Sequence, residues 1–379
     1  MIDTFFTASQ ILAGDVFLPR ESNPSNEIHL MAAVDWLRNA HDQSPDDGVS
    51  YGYCLRGPNF KRITDVGWKP SYVETSGYIL ETFYDLANEF DNDDFRSRAE
   101  SIARWLVSVQ NQDGSFANDH FQKGKGIVFD TGQVLFGLVR AYRETNDPTF
   151  LASAEKAAYW LVESLDADGA WRRNTHLNHV HTYNTRVAWA MLELDRVHPG
   201  QRIREAAARN LQWALTQQTE GFFRNCAFQP DVPPFTHTIA YAIRGIYEGG
   251  MLLNDQAIVD AAYDSAARML SYVDSNGFIP GRIDIDGNPK SRSCCLTGNC
   301  QMAIIWLKIA EEFAQPAMKD AANRALRYVM SVQNVKTRDV NIRGAIKGSH
   351  PVWGTYAPLS YPNWATKFFI EAMLLQRKS

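Results

Sequence analysis

Two kinds of segment alternate along the chain. In one kind, apolar residues return with helical period and charged residues fill the gaps, as in Ile102, Trp105, Leu106 and Val109, in Ala262, Ala266, Met269, Leu270 and Val273, and in Ala322, Ala325, Leu326 and Val329. These predict outer helices with one wet face. A glycine turn follows each, at Gly48, Gly114, Gly169, Gly221, Gly277 and Gly344, with spacings of 66, 55, 52, 56 and 67 residues. The glycine is expected to end the helix in the left-handed conformation. The second kind of segment is apolar nearly all round and opens with threonine: ETSGYILETFYDL, DTGQVLFGLVRAY, NTRVAWAMLEL, HTIAYAIRGIYEGG, LTGNCQMAIIWLKI and ATKFFIEAMLL, with Thr75, Thr131, Thr185, Thr238, Thr297 and Thr366. A helix apolar on every side must be enclosed by protein, so these predict inner helices. Each threonine is expected to accept from an unpaired first-turn amide.

Six outer–inner pairs bury every inner helix either by closing into a ring or by stacking as a solenoid. A solenoid needs polar end caps, and the last inner segment, WATKFFIEAMLLQ, is as apolar as the middle ones. The pattern therefore favours an all-α fold, an (α/α)6 toroid, over an open helical-repeat scaffold that binds a protein partner. At ~150 residues per domain the 379 residues would make two or three domains. A unit repeated along the chain replaces that expectation with one domain over 1–379, its repeats roughly 28–91, 92–145, 146–198, 199–254, 255–314 and 315–379.

The composition, 45% hydrophobic and 21% charged with net charge −5, excludes disorder and gives no basic stripe for nucleic acid or an anionic membrane. Five cysteines, an odd number without a secreted framework, suit a reducing compartment. The start MIDTFFTASQILAG lacks a basic n-region, and no stretch approaches the ~18 apolar residues of a transmembrane segment, so a cytoplasmic protein is expected. Without a Walker or dinucleotide glycine fingerprint, no cofactor is expected. Cys294, Cys295 and Cys300 lack paired CxxC spacing; buried thiols are favoured over a metal site shared with His237 and Asp130. Asp284, Asp286, Gly287 and Asn288 read as a plain turn.

The residue before the inner-helix threonine is Glu74, Asp130, Asn184, His237, Leu296 and Ala365 in turn. In a closed ring these starts surround one mouth, where positive helix ends and converging polar groups favour a ligand. Helix capping would account for Glu74, Asp130 or Asn184 singly, and a satisfied core imidazole for His237. It does not call for four chemistries in four repeats. The expected catalytic residues are therefore Glu74, Asp130 and His237. The expected substrate-binding residues near them are Tyr78, Gln133, Tyr183, Asn184, Arg186, Tyr241, Asn299 and Lys367. Two long loops, before the first and last inner helices, bring Tyr51, Tyr53, Trp68, Tyr72, Trp353, Tyr356, Tyr361 and Trp364, flat faces suited to sugar rings or simply anchoring the loops. Of these, Trp353, Tyr356 and Trp364 are expected to bind substrate. A third loop carries Arg282, Lys290 and Arg292, and Arg292 is expected to meet a carboxylate or phosphate.

The turns QNQDGSF, DADGAW and TEGFF are similar to degenerate forms of the glutamine-and-tryptophan repeats of squalene cyclase and protein prenyltransferase toroids. FDTGQVLFGLVRAY, YNTRVAWAMLEL, THTIAYAIRGIYEGG, CLTGNCQMAIIWLKI and YPNWATKFFIEAMLL resemble the VpsJ-like proteins of bacterial exopolysaccharide biosynthesis clusters, over most of residues 28–377. The resemblance implies the (α/α)6 toroid and a role with polysaccharide, and leaves the reaction open. The cyclases' DxDD acid motif is missing from the inner helix starts, so their chemistry is not carried over.

The leading expectation is a glycan-processing enzyme acting on an oligosaccharide or lipid-linked sugar. For hydrolysis, one of Glu74 and Asp130 protonates the glycosidic oxygen while the other activates water or stabilises the oxocarbenium ion. For a uronate, Asn184, Arg186 or Arg292 neutralises the carboxylate, and His237, Tyr183 or Tyr241 removes the C5 proton in a lyase or epimerase reaction. A non-catalytic glycan-binding protein and a terpene cyclase-like enzyme are the alternatives.

Overall fold

In the computed structural model, residues 25–55, 66–118 and 122–379 are described, together with Ile11 and Gly14. The start of the chain and the middle of the first long loop, 56–65, lie outside the described residues. Twelve α-helices among them form six outer–inner pairs: α1 (Asn26–Asp42) with α2 (Val73–Phe90), α3 (Asp93–Ser108) with α4 (Val128–Thr145), α5 (Pro148–Ser164) with α6 (Thr185–Val197), α7 (Gln201–Leu215) with α8 (Thr236–Leu253), α9 (Gln256–Met269) with α10 (Leu296–Phe313), and α11 (Pro316–Val332) with α12 (Asn363–Lys378). The odd-numbered helices keep one charged face, and the even-numbered ones are buried nearly all round. Each inner helix packs on the next, and α12 packs back on α2, so the fold is the (α/α)6 toroid.

The same device joins every repeat to its successor. Each turn glycine sits against the next outer helix: a Cβ on Gly114 would overlap the carbonyl oxygen of Lys156 in α5, and one on Gly344 would overlap that of Ala32 in α1. Gln110 bridges the two elements with hydrogen bonds to the Gly114 and Ser153 carbonyls, both at 2.9 Å. Gln333 repeats the bridge to Gly344 at 2.6 Å and to His29 of α1 at 3.2 Å. The last repeat thus grips the first as the second grips the third. Asn363 adds hydrogen bonds to the Ser50 carbonyl at 2.7 Å and the Thr75 hydroxyl at 2.8 Å. A strand at Ser360–Pro362 pairs with Gly52–Cys54 across the same seam.

Two local expectations change. Five of the six turn glycines have the expected left-handed backbone but stand past the helix end, since α3 stops at Ser108; at Gly114, Gly169, Gly277 and Gly344 close approach of the next outer helix's backbone, rather than helix termination, excludes a side chain. The threonines do not cap their own helices. Thr131 and Thr366 accept from the amides of Phe116 and Ile346, both at 3.0 Å, and so tether the incoming loop. Among the described residues no helix is long and apolar enough to cross a membrane.

Ring closure makes a prediction. Gly67 and Gly344 share a left-handed backbone, φ 97° and 83°, but a Cβ at Gly67 meets open space. Both alanine variants carry the conformational cost of ~1–2 kcal/mol. Gly344→Ala adds an overlap with rigid backbone, of ~1–3 kcal/mol more. Urea melts of the two variants measure the difference, and equal destabilisation would mean that the seam is not tightly closed.

Candidate active site

The first turns of α2, α4, α8 and α12 surround a cavity of about 360 Å³. Glu74 is the second residue of α2, Asp130 the third of α4, His237 the second of α8 and Trp364 the second of α12. All four line it, with Tyr51, Tyr72, Tyr78, Tyr183, Tyr241 and Tyr356. None of the six inner helices has a side-chain cap, which removes capping as the reason for the polar ring. Acids in the first turn of α2 and α4 instead sit where the helix dipole favours negative charge.

Glu74 accepts a hydrogen bond from the Tyr72 hydroxyl at 2.6 Å. Burial pushes its carboxyl up to about 7, against the opposing pull of the Tyr72 hydroxyl, the Arg186 guanidinium and Tyr78. It therefore holds or yields a proton near neutrality. Asp130 is 2% exposed; burial first, then the neighbouring carboxyl of Glu74, raises the phenols of Tyr72 and Tyr183. His237 is buried with Nδ1 2.9 Å from Gln301 Oε1. Burial pushes the ring down to about 3, with Arg186 adding to the effect against the Gln301 contact. The imidazole is neutral; with Gln301 accepting, the proton sits on Nδ1 and Nε2 keeps its lone pair. Tyr241 and Tyr356 flank it with ring centroids at 4.3 and 5.0 Å.

Beneath this floor lies Arg186, 1% exposed. Its guanidinium is surrounded by the rings of Phe136, Trp189, Tyr241, Phe368 and Tyr78 at 5.0 to 5.7 Å. Nε donates to Gln133 Oε1 at 2.6 Å. Gln133 and Arg186 thus belong to the bore, not the cavity wall. Lys367 lies deeper still, bonded to Glu371, which also takes Arg244 at 2.6 Å. Asn299 braces the fifth turn, donating to the Gly277 carbonyl at 2.8 Å. Asn184 precedes α6 with a buried amide that hydrogen-bonds to nothing among the described residues, yet does not line the cavity. Arg292 is exposed and off the lining. Arg282 covers the Phe235 ring at 3.6 Å, and Lys290 pairs with Asp284 at 3.0 Å. Trp353 is 43% exposed, on the loop whose Thr355 and Tyr356 do line the cavity.

Sequence reasoning missed Phe129, His176, Phe228, Gln229 and Phe235 on the wall. Phe129 and Phe235 were within reach, each lying one residue or two before a singled-out polar position. Phe228 and Gln229 come from the loop before α8, seven and eight residues past its turn glycine, Gly221, where no repeat register points to them. Cys295 and Cys300 are buried thiols held protonated by desolvation, Cys295 pushed up to about 12. Among the described residues no group of three or more His, Cys, Asp or Glu gathers as metal ligands.

The architecture is similar to that of solved carbohydrate enzymes. An unsaturated glucuronyl hydrolase from Bacillus sp. GL1, responsible for the degradation of glycosaminoglycan, matches at TM-score 0.72 and 15% identity, over 92% of this chain and 96% of its own. An unsaturated glucuronyl hydrolase specific for heparin gives 0.72 and 14%, over 93% and 97%. A cellobiose 2-epimerase from Spirochaeta thermophila DSM 6192 gives 0.70 and 15%, over 99% and 97%. At these identities the likeness is one of fold. No curated protein sequence matches the chain. Residues 59–251, half of the chain, match the squalene-hopene cyclase C-terminal domain, and the chain belongs to that family.

Proposed function

We propose that the protein is a glycan-processing enzyme whose sugar enters the mouth cavity. The observation that carries this reading is one cavity holding a glutamic acid that titrates near 7, a second buried carboxyl and a neutral imidazole within aromatic walls. Glu74 donates its proton to the glycosidic oxygen, and Asp130 as carboxylate activates water or stabilises the oxocarbenium ion. Tyrosine and tryptophan faces stack on the sugar ring. The hydrolytic form is preferred over the uronate lyase or epimerase because Asn184, Arg186 and Arg292, the groups meant to neutralise a uronate, do not line the cavity.

Carbocation chemistry of the terpene cyclase kind is disfavoured by Arg186. The rings of Tyr78 and Tyr241, whose faces would stabilise a substrate cation, already attend a buried guanidinium. The fold neighbours that act on glycans and the VpsJ-like resemblance support a place in polysaccharide metabolism. None of the five cysteines is in a disulfide, which suits a reducing compartment and supports a reading in which the substrate is a short or lipid-linked precursor on the cytoplasmic side.

Incubation with neutral and uronate-containing oligosaccharides, followed by assay of reducing ends and of sugar C–H exchange, tests the proposal. New reducing ends are expected, with the Asp130→Asn rate lower by ~100-fold or more. Binding without turnover, unchanged in Asp130→Asn, would make the protein a glycan-binding module; exchange without cleavage would make His237 the base of an isomerising reaction.

A further inference from the structure

Beside the mouth lies a second cavity, of about 480 Å³, and Gln229 lines both. The partition between them is rigidly held. The Phe228 ring packs against His176, Tyr183 and Phe235 at 5.8, 5.9 and 6.0 Å. His181 stacks on Tyr183 at 4.6 Å, and its ring lies between the carbonyls of His176, 2.8 Å from Nε2, and Ala227, 3.0 Å from Nδ1, so that the neutral ring donates to one of them. Arg282 holds the far end of the loop through the Pro233 carbonyl. Pro230, Pro233 and Pro234 remove further freedom, so this wall exists before any ligand arrives.

The two cavities differ in chemistry. The mouth has ring faces and acids, whereas the second cavity offers Arg224, Asn225 and Asp231, donors and acceptors suited to sugar hydroxyls. The mouth cavity lies near the low end of the ~300–1,000 Å³ span of ligand pockets, room for roughly one or two sugar rings. A longer glycan must continue elsewhere, and the nearest continuation is across Gln229.

Building on the glycan reading, we propose that the second cavity is a subsite for the sugars adjoining the one held in the mouth, so that the protein acts on a glycan chain rather than a free sugar. The side chains of Arg224 and Asp231 are exposed and carry the recognition.

The test is calorimetric binding of glucose oligomers, β-1,4-linked and two to five units long, and of hyaluronan oligomers of matched length. The probes are added to the native protein and to a double variant, Arg224→Ala with Asp231→Gly. Glycine at 231 keeps the left-handed backbone, φ 58°, while deleting the carboxylate. Affinity is expected to rise about tenfold from two units to four, a gain of ~1.4 kcal/mol. The double variant is expected to lose that rise and bind the two-unit probe as the native protein does. An affinity independent of length, or a rise that survives in the variant, would overturn the subsite while leaving the mouth reading intact. Failure of every probe to bind would instead overturn the glycan reading, and the subsite with it.

Discussion

If the proposed glycan chemistry holds, Glu74→Gln is expected to slow turnover by ~100-fold or more, with the loss in kcat and little change in KM. Glutamine keeps the shape and can still accept from the Tyr72 hydroxyl, but it has no proton to give. The pH profile identifies the role. An acid must be protonated to act, so native kcat/KM falls as pH rises through about 7, and the variant lacks that limb. Stability carries the same signature. Burial raises the carboxyl above its ordinary value of 4.5, so between about 4.5 and 7 the folded protein holds a proton that the unfolded chain releases. The associated stability is complete below the unfolded value and is lost as pH rises through about 7. Denaturant midpoints therefore decline less steeply over that interval in Glu74→Gln than in the native protein. Glu81, also pushed up to about 7 chiefly by burial, continues to contribute in both.

The largest structural effect is expected at the other end of the bore. Glu371 bonds Arg244 and Lys367, and Arg244 and Lys308 also reach Glu248 at 3.4 and 3.0 Å. Burial alone would raise the Glu371 carboxyl, but Arg244 and Lys367 hold it well below the usual range. Glu371→Ala leaves a lysine that is only 3% exposed without this partner. Removing one member of a buried pair costs ~3–5 kcal/mol. Lys367→Met combined with Glu371→Leu should lose less, because the lysine charge goes with its partner and Arg244 keeps Glu248. Urea denaturation at neutral pH measures both. The Glu371 contribution is present above the ordinary carboxylate range and disappears as pH falls through its lowered value, so the gap between native protein and Glu371→Ala closes in strong acid.

The helical phases of the fold were legible because two burial patterns repeat with one period, and a helix wetted on one side cannot exchange places with one wetted on none. Ring closure was legible only through the apolar last segment; the bonds that enforce it, Gln333 to His29 and Asn363 to Ser50, join residues more than 300 positions apart. The register at the inner-helix starts brought Glu74, Asp130 and His237 to one cavity. It failed at Asn184 because that repeat enters α6 through a short 3-10 turn, Thr182–Asn184, which gives the wall position to Tyr183. Arg186 and Lys367 each follow an inner-helix threonine, and sequence register does not tell the mouth from the bore. Their depth depends on packing against rings from α2, α4, α8 and α12, contacts that no local pattern encodes.

In the proposed function Glu74 is an acid poised near neutrality inside a glycan-binding mouth. Carbon-13 NMR titration of the Glu74 carboxyl, assigned by its loss in Glu74→Gln and followed with and without the oligosaccharide panel, tests it most directly. A midpoint near 7 is expected in the free protein, and a displaced resonance when a glycan is added. A midpoint at the ordinary 4.5, with a resonance indifferent to every glycan, would contradict it.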